Sequence, residues 1–181
     1  MENSASANWQ ICKLEKTSNK QEFDCGIEEL IEYIKKYARQ SQDRGLATTF
    51  TIISQIDKKV IGYYSLTLSK IEKEELSLEK QKGLPNCEIG VILLGKLART
   101  LSEKGSGLGE KLILDAMHRV YKISEEIGIY GLIVDAINEK AKIFYKKYGF
   151  IELPDQLMRL MIDKKTLKSK LIEHKLIEEK K

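Results

Sequence analysis

Cysteine, proline, tryptophan and histidine are all scarce in this chain of 181 residues, which has three, two, one and two of them. Cys12, Cys25 and Cys87 are odd in number and share no C-x-x-C spacing. That excludes a disulfide-stapled scaffold and a zinc knuckle, and it reads as reduced thiols of the cytoplasm. His118 and His174 stand alone, so the sequence presents no metal site and neither a Ser–His nor a Cys–His nucleophile pair. No apolar run approaches the roughly 20 residues of a membrane span. The opening stretch Met1–Gln10 lacks the basic and apolar regions of a signal peptide. A strong net charge is missing too: 31 basic against 27 acidic residues leave +4, which permits a polyanionic partner without demanding one.

What is present is enough hydrophobic residue, 42% of the chain, for a single core. The most informative stretch is Leu93–Glu110. An apolar run of strand length, Val91–Leu97, leads into a polar turn and then into Gly105, Gly107 and Gly109. Leu108, Leu112, Ala116, Val120, Ile123 and Ile127 follow at three- and four-residue spacing, which predicts a helix. A strand, a glycine loop and a helix N-terminus in this order suit an anion, because glycines admit close backbone approach and the first helical amides lack partners. The spacing G-x-G-x-G is not the G-x-G-x-x-G of a dinucleotide fold. Glu110 and Lys111 do not supply the Lys-Ser/Thr of a P-loop.

Elsewhere the periodicities predict a strand over Trp9–Leu14 and a helix carrying Ile27, Leu30, Ile31, Ile34, Tyr37 and Ala38 on its apolar face. A hairpin of Thr48–Ile56 with Val60–Leu68 follows, and the charged segment from Ser69 to Asn86 is hard to read. A strand over Gly131–Ala136, a helix over Asn138–Tyr148 and a last strand over Leu157–Ile162 complete the sheet. From Asp163 to Lys181 the chain is highly charged; Leu167, Leu171, Ile172, Leu176 and Ile177 give either an amphipathic terminal helix or a frayed tail. Ala141, Phe144, Tyr145 and Tyr148 share a helical face, and on spacing alone Tyr145 reads as core as readily as catalyst. Asn138 is placed to cap that helix.

Lys104-Gly105-Ser106-Gly107-Leu108-Gly109 resembles the Q/R-x-x-G-x-G/A loop of the GNAT superfamily of N-acetyltransferases, with Lys104 in place of Gln or Arg. Asn138 to Phe150 is similar to the N-x-x-A-x-x-x-Y-x-x-x-G-F segment of the same superfamily. Phe23-Asp24-Cys25-Gly26, Ile61-Gly62-Tyr63-Tyr64 and Leu94-Gly95-Lys96-Leu97-Ala98 look like the GNAT toxins of bacterial toxin–antitoxin pairs, which acetylate aminoacyl-tRNA. The likeness extends over roughly Trp9–Ile162.

The resemblance implies an α/β (α+β) GNAT fold, a mixed central sheet of about six to seven strands flanked by helices. One acetyltransferase domain would cover 1–162, followed by a C-terminal helix or tail over 163–181. Acetyl-CoA would bind at splayed central strands, without a metal. The backbone of Leu97, Ala98 and Arg99 would then run along pantetheine and supply an N–H to the thioester oxygen. Lys104, Gly105, Ser106, Gly107, Leu108, Gly109 and Glu110 would hold the pyrophosphate, and Asn138 would reach the coenzyme's polar arm. Tyr145 would be the general acid for the leaving thiolate, with Tyr148 in the packing. Lys35, Lys36, Arg39, Arg44 and Lys96 are candidate tRNA contacts, and Lys140, Lys142, Lys146 and Lys147 form a second basic group.

The expected partners are aminoacyl-tRNA, a ribbon-helix-helix antitoxin and a second copy of the chain. No general base stands out. That suits an α-amino acceptor, with a pKa near 7.7–8.0, better than a lysine near 10.4. The competing expectations are a GNAT acting on a small amine or a protein N-terminus, and a non-catalytic acyl-CoA-binding module.

Overall fold

The computed structural model describes residues 9–178. Most of Met1–Gln10, read above for a leader, and the last three residues of the 163–181 tail lie outside them. The chain divides into two compact units, residues 1–66 with 96–113 and residues 67–95 with 114–181. The strands pair in the order β1-β2-β3-β4-β5-β7-β6 in one seven-stranded sheet.

In the first unit β1 (Trp9–Lys13) pairs antiparallel with β2 (Thr48–Ser54), and β2 with β3 (Val60–Ile71). The β-branched and aromatic content of Thr48–Leu66 suits this pleated, half-buried surface. The Phe50 and Tyr64 rings are opposite in register and stack at 5.2 Å. The expected hairpin forms, with Lys58 in the left-handed region at its turn. A helical stretch packs on this sheet in three pieces: α1 (Glu28–Glu32), a π-helical turn (Tyr33–Tyr37) and α2 (Ala38–Asp43). Leu30, Ile34 and Ala38, four apart, are buried with Leu14, Phe23, Val60, Tyr63 and Ala98 in one apolar cluster. Tyr37, expected on the same face, is instead 49% exposed. The wide π-turn adds a residue to the helical cycle and turns Tyr37 outward, while the Tyr63 hydroxyl donates to the Leu30 carbonyl at 2.7 Å.

The second unit is built on the parallel pair β4 (Ile89–Arg99) and β5 (Gly131–Asp135), with β7 (Gln156–Asp163) antiparallel to β5 and β6 (Ile151–Leu153) antiparallel to β7. The apolar run of β4 is longer than Val91–Leu97, and β6 went unpredicted: Asp155, at φ 57, makes a tight turn that lets Ile151–Leu153 pair. Gly131 is required where it stands, because a Cβ there would lie 2.3 Å from the Ile162 carbonyl oxygen. The helices α4 (Leu108–Glu126) and α5 (Glu139–Lys147) match the periodicity closely. The stretch Ser69–Asn86 resolves into the end of β3, a 3-10 turn (Lys73–Glu75) and α3 (Leu78–Gln81). Ile71, Leu76, Ile89, Val91, Ile133, Leu153 and Met161 form its core cluster. Asp163 caps α6 (Lys164–Glu173), which packs through buried Leu167 and Leu171 toward β5 and β7.

Candidate active site

The first set of predicted residues lies in the first unit, in one continuous run. The registered parallel ladder of β4 with β5 covers Ile92–Leu94, whereas β4 itself runs on to Arg99. Leu97, Ala98 and Arg99 are thus strand residues beyond that ladder, with Ala98 buried in the apolar cluster. The Arg99 guanidinium donates to the Thr100 carbonyl at 3.1 Å. The strand end is pinned next to this point. The Thr100 N–H donates to the Ile61 carbonyl at 2.9 Å, and the Leu101 N–H to the Asp24 carbonyl at 2.9 Å. Asp24 in turn accepts the Gly26 N–H at 2.8 Å. A Cβ on Gly62 would be 3.4 Å from the Ala98 carbonyl oxygen and 3.2 Å from Leu112. Asp24, Gly62 and Thr100 therefore set the geometry of the strand end. Gly62 and Asp24 belong to the short motifs quoted above, but their supporting role has no periodic signal in the sequence.

After a short 3-10 turn (Leu101–Glu103) come Lys104, Gly105, Ser106 and Gly107, all exposed. Gly105 and Gly107 adopt φ of 86° and 81°, which L side chains rarely reach, and a Cβ at either would meet nothing within 4 Å. Backbone conformation, rather than crowding within the protein, requires glycine here. Ser106 folds back, its hydroxyl donating to the Glu103 carbonyl at 2.8 Å. The first intrahelical bond of α4 runs from the Lys111 N–H to the Gly107 carbonyl at 3.2 Å. The amides of Leu108, Gly109 and Glu110 thus precede it without intrahelical acceptors, at the positive end of a long helix. Such a loop fits a pyrophosphate. A neighbouring cavity of about 470 Å³ is lined by Thr100, Ser102 and Glu103 with Glu22, Asp57 and Lys59. Lys59 is already shared between Glu22 (2.8 Å) and Asp57 (3.4 Å), so this acidic cavity does not suit a phosphate.

The second set is in the second unit. Asn138 caps α5, its Oδ1 accepting the Ala141 N–H at 2.9 Å. Tyr145 is buried, only 7% exposed, with its ring against Phe144 and Phe150. Among the described residues no group hydrogen-bonds its hydroxyl, and no side-chain oxygen is both sealed and unsatisfied. The oxygen of a buried ring thus keeps access to solvent. Burial holds its pKa above the ordinary phenol value, so it stays protonated across the physiological range. Tyr148 is buried against Phe144. Of the lysines on this helix, Lys142 is buried and paired to Glu152 at 3.1 Å, and Lys146 also pairs with Glu152.

The candidate tRNA cations differ in availability. Lys36 pairs with Glu32 and Arg39 with Asp43, each at 2.8 Å, and Lys96 pairs with Glu29 at 2.7 Å while lying 5.8 Å from the Tyr33 ring centre. Lys35 and Arg44 have no ion-pair partner among the described residues. Among those residues no group of His, Cys, Asp and Glu could hold a metal ion, and no helix is long and apolar enough to cross a membrane.

No protein-family model matches the chain. A tRNA-acetylating toxin of Mycobacterium tuberculosis is 29% identical over 140 residues, 77% of this chain and 82% of that one. A probable toxin TacT of Sinorhizobium fredii is 24% identical over 155 residues, 81% of this chain and 86% of that one. Among solved structures, a Tyr-to-Phe mutant of KacT superposes with a TM-score of 0.85 at 32% identity, covering 90% of this chain and 98% of that one. AtaT complexed with acetyl-methionyl-tRNA gives 0.84 at 32% identity, covering 89% and 98%. AtaT has also been solved with its antitoxin AtaR and acetyl-CoA, with a TM-score of 0.78 at 32% identity, covering 90% and 97%.

Proposed function

Because this chain belongs to the GNAT acetyltransferase toxins, we propose that it transfers the acetyl group of acetyl-CoA to the α-amino group of an aminoacyl-tRNA and so blocks translation. The observation that carries the reading is the unbroken run from the end of β4 through the left-handed Gly105 and Gly107 to the open amides of α4. That run supports a thioester on the strand and a pyrophosphate on the loop.

In the reaction, a backbone N–H of Leu97, Ala98 or Arg99 donates to the thioester oxygen as it gains charge. Such stabilisation requires no particular side chain. The neutral amine attacks the carbonyl carbon and the C–S bond breaks. Tyr145 gives its phenolic proton to the departing thiolate, and the proton lost by the amine passes to water. A phenol kept protonated by burial and open at its oxygen suits that role. Asn138 fixes the start of the helix that carries Tyr145 and adds a contact to the coenzyme's polar arm. Lys104 and Ser106 flank the phosphates, and Lys35, Arg44 and Lys96 meet the tRNA backbone together with Lys36 and Arg39.

Residues 1–162 act as the catalytic domain and 163–181 as an appended segment. The protein works in the cytoplasm as a homodimer and is held inactive by an antitoxin of the ribbon-helix-helix type; AtaT bound to the C-terminus of its antitoxin AtaR supports an antitoxin partner.

The test is cell-free translation with purified protein, with and without acetyl-CoA, followed by mass spectrometry of the aminoacyl-tRNA pool. Arrest that depends on acetyl-CoA, with an acetylated aminoacyl ester, establishes the reading and names the acceptor. Unimpaired translation with unmodified tRNA overturns it.

A further inference from the structure

The second unit carries a cavity of about 630 Å³ that takes no part in the reaction described above. It is lined by Tyr121 and Glu125 of α4, by Ile129 and Tyr130 ahead of β5, and by Asp163, Lys164, Lys165 and Lys168 at the start of α6. Its volume is that of a small-ligand site. Both of its carboxylates are matched: Asp163 pairs with Lys80, and Glu125 with Lys164 at 2.8 Å. Lys165 and Lys168 have no ion-pair partner among the described residues. They are three apart on one helical face, where like charges repel, and near a helix N-terminus, where a cation is unfavourable. An anion between them would relieve both costs. The walls are aromatic. The Tyr121 and Tyr130 rings are half-buried beside buried Ile129, and neither hydroxyl is hydrogen-bonded among the described residues. Burial raises the Tyr130 pKa, so that wall stays neutral.

Flat apolar walls with two unpaired cations at the rim match a molecule that has a π-face and a phosphate. We propose that this cavity is an auxiliary RNA subsite for one unstacked nucleotide, with its base against Tyr121 and Tyr130 and its phosphate on Lys165 and Lys168. Stacking on tyrosine tolerates any base, so the subsite adds affinity rather than sequence preference. An acidic peptide would satisfy the lysines but would leave the aromatic walls without a flat partner. The inference rests on tRNA being the substrate, and it adds a contact on α4 and α6 that neither the glycine loop nor Tyr145 provides.

The experiment measures the affinity of deacylated tRNA for the full chain by fluorescence anisotropy across a salt series, with acetylation of aminoacyl-tRNA measured in parallel. Lys165→Glu with Lys168→Glu is compared with Lys16→Glu, a reversal at an exposed lysine that does not line the cavity. Tyr121→Phe is compared with Tyr121→Ala. The double reversal should weaken tRNA at least ten-fold and flatten the slope of log K against log salt by about 0.7, one single-strand phosphate contact. Lys16→Glu should do neither. Tyr121→Phe should keep affinity, and Tyr121→Ala should lose about ten-fold. The KM for acetyl-CoA should not move in any of them.

If the native chain acetylates tRNA and the cavity variants bind it as tightly as Lys16→Glu does, the subsite is refuted while the toxin reading stands. If the native chain neither binds nor acetylates tRNA, both fall. If the double reversal spares tRNA and instead releases a bound antitoxin, the cavity is a protein-docking site and the RNA assignment is wrong.

Discussion

At the scale of single residues, Tyr145 and Gly107 carry the sharpest expectations. The Tyr145 ring is buried and its hydroxyl is unpartnered. Tyr145→Phe should therefore leave folding and acetyl-CoA affinity intact and lower kcat by at least about 10²-fold. Single-turnover acetylation alongside calorimetric coenzyme titration checks this, and a near-native rate would remove Tyr145 from its role. The pH profile follows from the same phenol. With its pKa raised by burial, Tyr145 keeps its proton past its ordinary value near 10. The acceptor amine loses its proton near 7.7–8.0. The rate should rise through that range and then stay level to about pH 10, and an alkaline fall near pH 8 would contradict the assignment. Gly107 makes a different case. Its φ of 81° costs any other residue about 1–2 kcal/mol, while its surroundings would not clash with a methyl group. Gly107→Ala should consequently fold with a small loss of melting temperature and lose most of its coenzyme affinity. Unchanged affinity would mean that the loop does not cradle the pyrophosphate.

At the scale of elements, α5 carries both a cap and the proposed general acid, and the two roles proposed for Asn138 can be separated. Asn138→Asp keeps an oxygen for the Ala141 N–H, whereas Asn138→Ala leaves that donor unmet at a cost of about 1 kcal/mol, or about 2–4 °C in melting temperature. If Asn138 also reaches the coenzyme, both substitutions should weaken acetyl-CoA, although only the second destabilises the fold. Equal coenzyme affinity in all three proteins would reduce Asn138 to a cap. The elements that the sequence made legible are those governed by one period. The long α4, the α5 helix with its Gly149 stop, the β2–β3 hairpin and β4 all follow from spacing and β-branched content. Elements set by exceptions were not legible. The π-turn at Tyr33–Tyr37 leaves no periodic mark, because it is fixed by tertiary contacts such as the Tyr63 hydroxyl on Leu30. The three-residue β6 is too short to show a period and depends on Asp155 taking a left-handed conformation. The site divides in the same way. The glycine loop and Tyr145 stand in local motifs, whereas Asp24, Gly62 and Thr100 shape the end of β4 through partners distant in sequence.

At the scale of the whole molecule, two buried phenols make stability depend on alkaline pH. Tyr63 is fully buried and hydrogen-bonded to Leu30, and burial raises its pKa as it does that of Tyr145. In the unfolded chain both titrate near 10. Between that value and the folded one, the unfolded state has released its protons and the folded state has kept them. The unfolded state therefore binds fewer protons, and stability falls as pH rises. Below pH 10 neither tyrosine contributes a slope. Above it each contributes up to about 1.4 kcal/mol per pH unit, so the pair together approach about 2.7. Denaturant titrations at pH 8, 9, 10 and 11 on the native chain, Tyr63→Phe and Tyr145→Phe test this. Tyr63→Phe should be less stable at pH 8 by about 1 kcal/mol, the usual net worth of a hydrogen bond. It should also lose about half of the tyrosine-dependent slope above pH 10. Tyr145→Phe should lose the other half with little change at pH 8, since its hydroxyl has no partner to forfeit. Matching slopes in all three proteins would mean that burial raises the pKa of neither phenol, and the environment argued for Tyr145 as a protonated acid would be lost with it.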